Sequence, residues 1–395
     1  MGQAPSSLSP LPSSLFPLPS PLSPLPSPLS PSSMLPDFTA ATLAVQPIER
    51  ADTIPSSWYT DPAFDDFERE AIFARTWQYV GHAGMLPNVG DTRVASVAGE
   101  SILLVRDQHE QMRAFFNVCR HRAGPIAVDG GCGARVLQCK YHGWTYTLDG
   151  RLRGIPHWDR VDLFDKQDFG LRPVRLAEWE GLLFVDLSGQ APPIEHVFAG
   201  VRERIAPTSL RTKAFHSRTT YPIACNWKVY MDNYLEGYHV PIVHPELNKV
   251  LDYTQYVTER HAWYSLQYSP FRSDADNSMY GASAHEAFYY CVFPNLMLNI
   301  IGGRMQLNYV RPIDAGHCEV IFDYFYDDVE SPAALEQIAA DIRYSEDVQR
   351  EDEEICTLVQ RGLRSRSYNT GRFSVEREEG VHHFQSLLKT CFRDE

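Results

Sequence analysis

The chain has 395 residues, 44% of them apolar, which is enough for two or three domains around a sizeable core. Its formal net charge of -14 argues against non-specific nucleic-acid binding, which needs clustered Lys and Arg against phosphates. Eight widely spaced cysteines lack the density of a secreted disulfide framework and fit a reducing, cytoplasmic compartment; no run approaches the roughly 18 to 20 apolar residues of a membrane-spanning helix.

Residues 1–36 are almost entirely Ser, Pro and Leu without charge, a composition that predicts polyproline II or disorder. No Lys or Arg precedes Arg50, so the basic n-region of a targeting peptide is missing. Met1-Gly2 with Ser6 matches a myristoylation pattern that carries little weight in low-complexity sequence, and Met34 is a candidate start of the folded polypeptide. Within an N-terminal helical segment, 37–77, Phe64, Phe67, Ile72 and Phe73 fall near helical spacing with Asp65 and Asp66 in the early turns. From 78 to 190 the runs SILLVRD, RVLQC and GLLFVDL, separated by Gly, Asp and Pro, predict a small antiparallel β domain, with Asp149-Gly150 as a hairpin turn. The boundary falls near 190–215. The remainder, 191–395, reads as a helical stretch around Asn226 to His244, β segments (YYCVF, LMLNII, CEVIFDYFY), a helix from Ser331 to about Leu363 and another near the C-terminus. The fold class is therefore α+β.

Within the β domain, Cys119-x-His121 and Cys139-x2-His142 place four ligands in two close pairs on two loops. Zinc would accept this set, but its sites more often pair C-x2-4-C with H-x3-5-H, whereas here each pair contributes one Cys and one His. A Rieske 2Fe–2S cluster uses that division, two Cys on one iron and two His on the other. The segments CRHRAG and CKYHGWTY resemble the Rieske domain of ring-hydroxylating and related oxygenases, with Arg122-Ala123-Gly124 and Gly143-Trp144 beside the ligands. Cys132, between the pairs, reads as a buried non-ligand cysteine.

Downstream, CNWKVYMDNYLEGYHVPIVH carries Glu236, His239 and His244. Two histidines five apart can share a metal from one side of a helix and its distorted end, and two His plus a distant carboxylate form the facial triad of mononuclear non-heme iron oxygenases. On their own such histidines are more often structural; the preceding Rieske pattern reverses that reading. The segment is similar to the same oxygenase family at Asn226, Trp227, Lys228, Asn233, Tyr234, Glu236, His239 and His244. The resemblance spans about residues 40 to 390 and implies an N-terminal all-β Rieske domain followed by a helix-grip catalytic domain, an antiparallel sheet packed with helices. It implies His239 and His244 as iron ligands with a carboxylate from QREDEEICTLVQRGL. Asp352 is the choice there, with Asp347, Glu351 and Glu353 as alternatives on what is otherwise a solvated helix face.

The same resemblance gives Glu236 a catalytic bridging role between the Rieske centre of a neighbouring subunit, through His142, and His239. It also implies a head-to-tail homotrimer, since a heterologous interface that closes makes a ring. No ferredoxin-type or G-x-G-x-x-G run occurs in the chain, so electrons must come from a separate reductase drawing on NAD(P)H, directly or through a ferredoxin.

Glu rather than Asp at 236 resembles the choline, carnitine and glycine-betaine monooxygenase branch. The aromatics Tyr234, Tyr238, Trp263, Tyr264, Tyr268, Phe288, Tyr289, Tyr290 and Tyr309 are candidates for a cation–π cage around a quaternary or N-methyl amine. The same rings would also suit an aromatic-ring-hydroxylating dioxygenase, or serve as core and sheet residues. An iron–sulfur electron-transfer protein and a zinc-binding interaction module are the readings from other classes.

Overall fold

The computed structural model describes residues 36, 38–272 and 286–393. The expectations for the Pro/Ser/Leu leader, its lipidation and the start at Met34 lie, Pro36 apart, outside the described residues.

The segment Ala63–Glu68 (α1) is helical and runs on into a π-helical turn at Arg69–Phe73. Its apolar side, Phe64, Ile72 and Phe73, does not join the β domain that follows. It packs with Trp58, Trp227, Phe384 and Phe392 in the core of the C-terminal half.

The β domain contains β1 Gln78–His82, β2 Thr92–Val97, β3 Glu100–Arg106, β4 Met112–Phe116, β5 Leu137–Gln138, β6 Thr145–Tyr146, β7 Leu152–Gly154, β8 Arg175–Trp179 and β9 Leu182–Asp186. These form three antiparallel three-stranded sheets, ordered β1-β9-β8, β2-β3-β4 and β5-β6-β7. Asp149-Gly150 turns the chain from β6 into β7, with Gly150 at φ 88°. The β5–β6–β7 side encloses a small core that includes Leu103, Phe115, Trp144, Tyr146 and both candidate ligand cysteines.

The C-terminal half is one antiparallel seven-stranded sheet: β10 Ala214–Ile223, β11 Val257–Arg260, β12 Tyr264–Pro270, β13 Glu286–Val292, β14 Leu296–Ile301, β15 Arg304–Asp314 and β16 His317–Tyr326, in the order β10-β16-β15-β14-β13-β12-β11. Against it lie α2 Trp227–Tyr234, α3 Val240–Val243, α4 Pro332–Leu363 and α5 Glu379–Arg393. The Asn226 side chain caps α2 by accepting from the Lys228 amide at 3.0 Å, and Ser331 caps α4 by accepting from the Ala334 amide at 3.3 Å. The expected helix from Asn226 to His244 is broken: α2 ends at Tyr234, and a non-helical link carrying Glu236 and Gly237 precedes α3.

The buried side of α4 is polar for much of its length. Asp341, Ser345 and Gln349 recur at four-residue intervals before Cys356 and Gln360. An ordinary core-facing stripe would be apolar. This one faces a cavity between the helix and the sheet. Among the described residues no helix is long and apolar enough to cross a membrane.

Candidate active site

The two Rieske-type loops have matching backbone closures. The Ala123 amide donates to the Cys119 carbonyl at 3.1 Å and the Gly143 amide to that of Cys139 at 3.0 Å, with Ala123 and Gly143 both at positive φ (56° and 74°). A Cβ at Gly124 would stand 3.1 Å from Cys139 Sγ and 3.2 Å from Tyr141 Cβ, so glycine lets the loops meet. Cys119 and Cys139 are buried, and the Tyr146 hydroxyl sits 3.2 Å from Cys119 Sγ while accepting from the Arg120 amide.

The two imidazoles, His121 and His142, lie 4.7 Å apart centre to centre. His121 stacks on Trp144 (4.9 Å, 6°), and its Nδ1 is buried with no partner among the described residues, the orphan atom expected of a ring that ligates a metal. Burial, reinforced by His142 and Arg122, lowers its pKa and favours the neutral ligating form. His142 is exposed at the tip beside exposed Tyr141. Cys132 is exposed, not buried as expected, because its loop turns away from the small core.

The second constellation is built by the link after α2, by α3 and by α4. Among the described residues, the ligand atoms of His239, His244 and Asp352 form the group of three that lie within 4.8 Å of one another. No three of the Cys/His set meet that condition, so the first site does not converge on one point as a single tetrahedral zinc requires. It suits a cluster with separate Cys and His ends.

Each histidine of the second site is held from behind by a carboxylate. His239 Nδ1 lies 2.6 Å from Glu236 Oε1 and His244 Nδ1 lies 2.7 Å from Glu351 Oε2. With each Nδ1 held by a carboxylate, the Nε2 edges of both rings turn to Asp352 Oδ1, at 3.9 Å from His239 and 3.0 Å from His244. Burial opposes protonation of His244, but Asp352 and Glu351 outweigh it and raise its pKa. Asn233 Nδ2 donates to Asp352 Oδ1 at 2.7 Å, so α2 fixes the carboxylate that α4 supplies. The structure therefore brings Asp352, of the four acids considered, to the histidines. Glu351 was an alternative ligand in the sequence and instead stands behind His244. Asp347 is exposed and pairs with Arg350.

A cavity open at its mouth leads from these residues along α4 and the inner sheet face. Its aromatic lining is Tyr230, Tyr234, Tyr256, Tyr289, Phe322 and Tyr344. Of the nine aromatics proposed for a cage, Tyr234 and Tyr289 line it. Tyr264, Phe288 and Tyr290 are buried in the core on the opposite sheet face, Trp263 and Tyr268 pack against that core, Tyr309 packs on Tyr79, and Tyr238 is exposed. Strand alternation explains the split: on β13, Tyr289 points inward and its neighbours outward. A usable signal for the missed rings was helical spacing from the ligands, since Tyr344, Val348 and Asp352 are four residues apart on α4 and Tyr230 and Tyr234 four apart on α2.

Residues 76–165 match the Rieske [2Fe-2S] domain and residues 210–393 the ring hydroxylating alpha subunit (catalytic domain). The chain is 36% identical to the chloroplastic choline monooxygenase of Arabidopsis thaliana over 87% of this chain and 83% of that protein. It is 32% identical to the carnitine monooxygenase oxygenase subunit of Escherichia coli (strain K12), over 92% of this chain and all of that one. A solved quaternary ammonium Rieske monooxygenase, studied for carnitine oxidation and inter-subunit electron transfer, superposes with a TM-score of 0.78 at 30% identity, covering 86% of this chain and 95% of the other. The catalytic-domain match sets aside a bare electron-transfer role and a zinc module. The chain belongs to the Rieske oxygenases, as an alpha subunit that joins a 2Fe–2S domain to a mononuclear non-heme iron catalytic domain.

Proposed function

We propose that this oxygenase acts on a small quaternary ammonium or N-methyl compound, hydroxylating it or removing a carbon group oxidatively. The observation that carries this reading is the aromatic cavity above His239, His244 and Asp352. Tyrosine rings attract a desolvated cation by about 0.5–2 kcal/mol each. Similarity to choline and carnitine monooxygenases supports the same substrate class.

In this reading Cys119, Cys139, His121 and His142 hold the cluster, and His239, His244 and Asp352 hold the mononuclear iron. When bound, the cluster supplies single electrons and the iron binds and activates O2. Glu236 keeps the His239 tautomer and ring orientation, Glu351 does the same for His244, and Asn233 steadies Asp352. Exposed His142 suits a junction with Glu236 of the partner subunit in a head-to-tail homotrimer, fed by a separate NAD(P)H-dependent reductase with or without a ferredoxin. The domain limits of this reading are a leader to 36, a helical segment to 77, a Rieske domain over 78–190 and a catalytic domain over 191–395. A reducing, cytoplasmic setting accords with eight free cysteines.

The test is a single-turnover screen: pre-reduced protein mixed with O2 and with choline, carnitine, glycine betaine or benzoate. Cluster oxidation accelerated by the trimethylammonium compounds is the expected result; acceleration by benzoate alone would overturn the reading.

A further inference from the structure

The link that carries Glu236 is gripped on two sides at positions with no room for a side chain. On one side a Cβ at Gly380 of α5 would collide with the Leu235 carbonyl oxygen. On the other a Cβ at Gly237 would stand 2.8 Å from Tyr256 Cζ, 3.0 Å from Cε1 and 3.1 Å from Cε2, so the tyrosine ring lies against the Gly237 backbone. Gly237 is not among the glycines at positive φ, and its backbone would tolerate a side chain; the ring excludes one. The Glu236 carboxylate closes the chain that follows, with Oε2 accepting from the His239 amide at 3.0 Å and Oε1 lying 2.6 Å from His239 Nδ1.

Tyr256, just ahead of β11, is itself fixed. Its hydroxyl donates to Gln267 Oε1 at 2.7 Å, and buried Gln267 on β12 donates through Nε2 to the carbonyl of Tyr234, the last residue of α2, at 2.6 Å. The Tyr234 hydroxyl in turn donates to Asn299 Oδ1 on β14 at 2.7 Å. The ring, the Gln267 amide, the end of α2 and the link thus close a circuit anchored on the sheet. Tyr256 is partly buried and belongs to none of the hydrophobic clusters of the described residues, so core filling does not account for it. It lines the cavity together with Glu236 and His239, whereas Gly237 is not among the described lining residues.

We propose that Tyr256 is a positioning residue for the junction carboxylate: its ring, tied by Gln267 to the end of α2, clamps the Glu236–His239 segment from the cavity side. The inference rests on the reading of Glu236 given above and deepens it by naming what holds that carboxylate in place. An ordinary carbon contact is about 3.5–4.0 Å, so an alanine at 237 must push the ring or the link away by roughly 0.7 Å or more. Catalytic groups need placement to about 0.5 Å, and the displaced segment carries both Glu236 and the candidate ligand His239.

The test is a double-mutant cycle on the full-length holoenzyme, Gly237→Ala against Tyr256→Ala, with Tyr256→Phe as the conservative variant. The first readout is the affinity of the mononuclear site for iron, measured by competition with a chelator, which needs no substrate; the cluster's visible spectrum reports whether each variant has folded. Gly237→Ala and Tyr256→Ala should each weaken iron about tenfold, and the double variant should be no weaker than Tyr256→Ala, because the added methyl then meets no ring. Tyr256→Phe keeps the ring on Gly237 and should lose less than about threefold. The second readout is O2-driven oxidation of the pre-reduced cluster with choline and carnitine, run beside Glu236→Gln, and it should follow the same order among the clamp variants. Full iron affinity in Tyr256→Ala, equal losses in Tyr256→Phe and Tyr256→Ala, or a double variant showing the product of the two single losses overturns the clamp. The expected pattern in iron affinity with wild-type cluster oxidation in Glu236→Gln overturns instead the bridging role of Glu236 beneath it.

Discussion

Replacing Lys228 by Met is expected to cost about 3–5 kcal/mol of stability, because it strands a buried carboxylate. The Lys228 and Glu68 side chains are 0% and 3% exposed, and the ammonium pairs with Glu68 Oε1 while Trp227 Nε1 donates to Oε2 at 2.6 Å. The ammonium also lies 5.2 Å from the Trp227 ring centre and 5.9 Å from those of Tyr59 and Phe64. Burial raises the pKa of Glu68 and lowers that of Lys228, and each partner works against the other's shift. Removing the lysine leaves only the burial penalty. Adding Glu68→Gln removes the charge and keeps an acceptor for Trp227, so the double variant should return to within about 1–2 kcal/mol of wild type. Urea midpoints followed by tryptophan fluorescence, converted with a shared slope, measure both. A single variant losing under about 1 kcal/mol, or a double variant as unstable as the single, would refute the stranded-charge argument. The motif Asn226-Trp227-Lys228 would then need a role other than anchoring α2 to α1.

Glu236→Gln should leave both metals bound yet slow substrate-dependent cluster oxidation by about 10–100-fold; normal turnover would remove its bridging role. Glu351→Gln should weaken iron binding at the mononuclear site about tenfold, read by competition with a chelator, with the cluster's visible spectrum unchanged. Burial, opposed by bonds from Tyr59 and Gln385, raises the Asp232 pKa to about 7. In that window the folded state binds a proton that the unfolded state has released, so this group's contribution to stability is present in acid and lost as pH rises through about 7. Asp232→Asn should therefore gain stability relative to wild type at pH 8 compared with pH 5, and equal urea-midpoint differences at the two values would contradict the assignment.

The candidate ligand pairs could be picked out because metal chemistry constrains residue type and spacing together: C-x-H with C-x2-H, and Glu236, His239 and His244 within one short segment. The strands and α4 were legible from apolar runs and length. What escaped was direction. Asp347, Glu351, Asp352 and Glu353 are nearly consecutive on one helix, and only the position of α4 against α2 decides that Asp352 meets the histidines while Glu351 passes behind His244. The aromatic cage was misassigned for a related reason, since adjacent aromatics on a strand face opposite sides of the sheet. Cys132 shows the converse: composition favours burial of a free cysteine, but a loop that leaves the core exposes it. The polar stripe of Asp341, Ser345 and Gln349 could not be told from a solvated face without the sheet opposite it.

The most direct test of the two-site account is the iron and acid-labile sulfide content of the purified full-length chain, measured beside its His239→Ala variant. The wild type should carry about three irons and about two sulfides, and the variant about two irons with the sulfide and the visible spectrum retained. Zinc in place of sulfide, or an iron content that His239→Ala leaves unchanged, would contradict it.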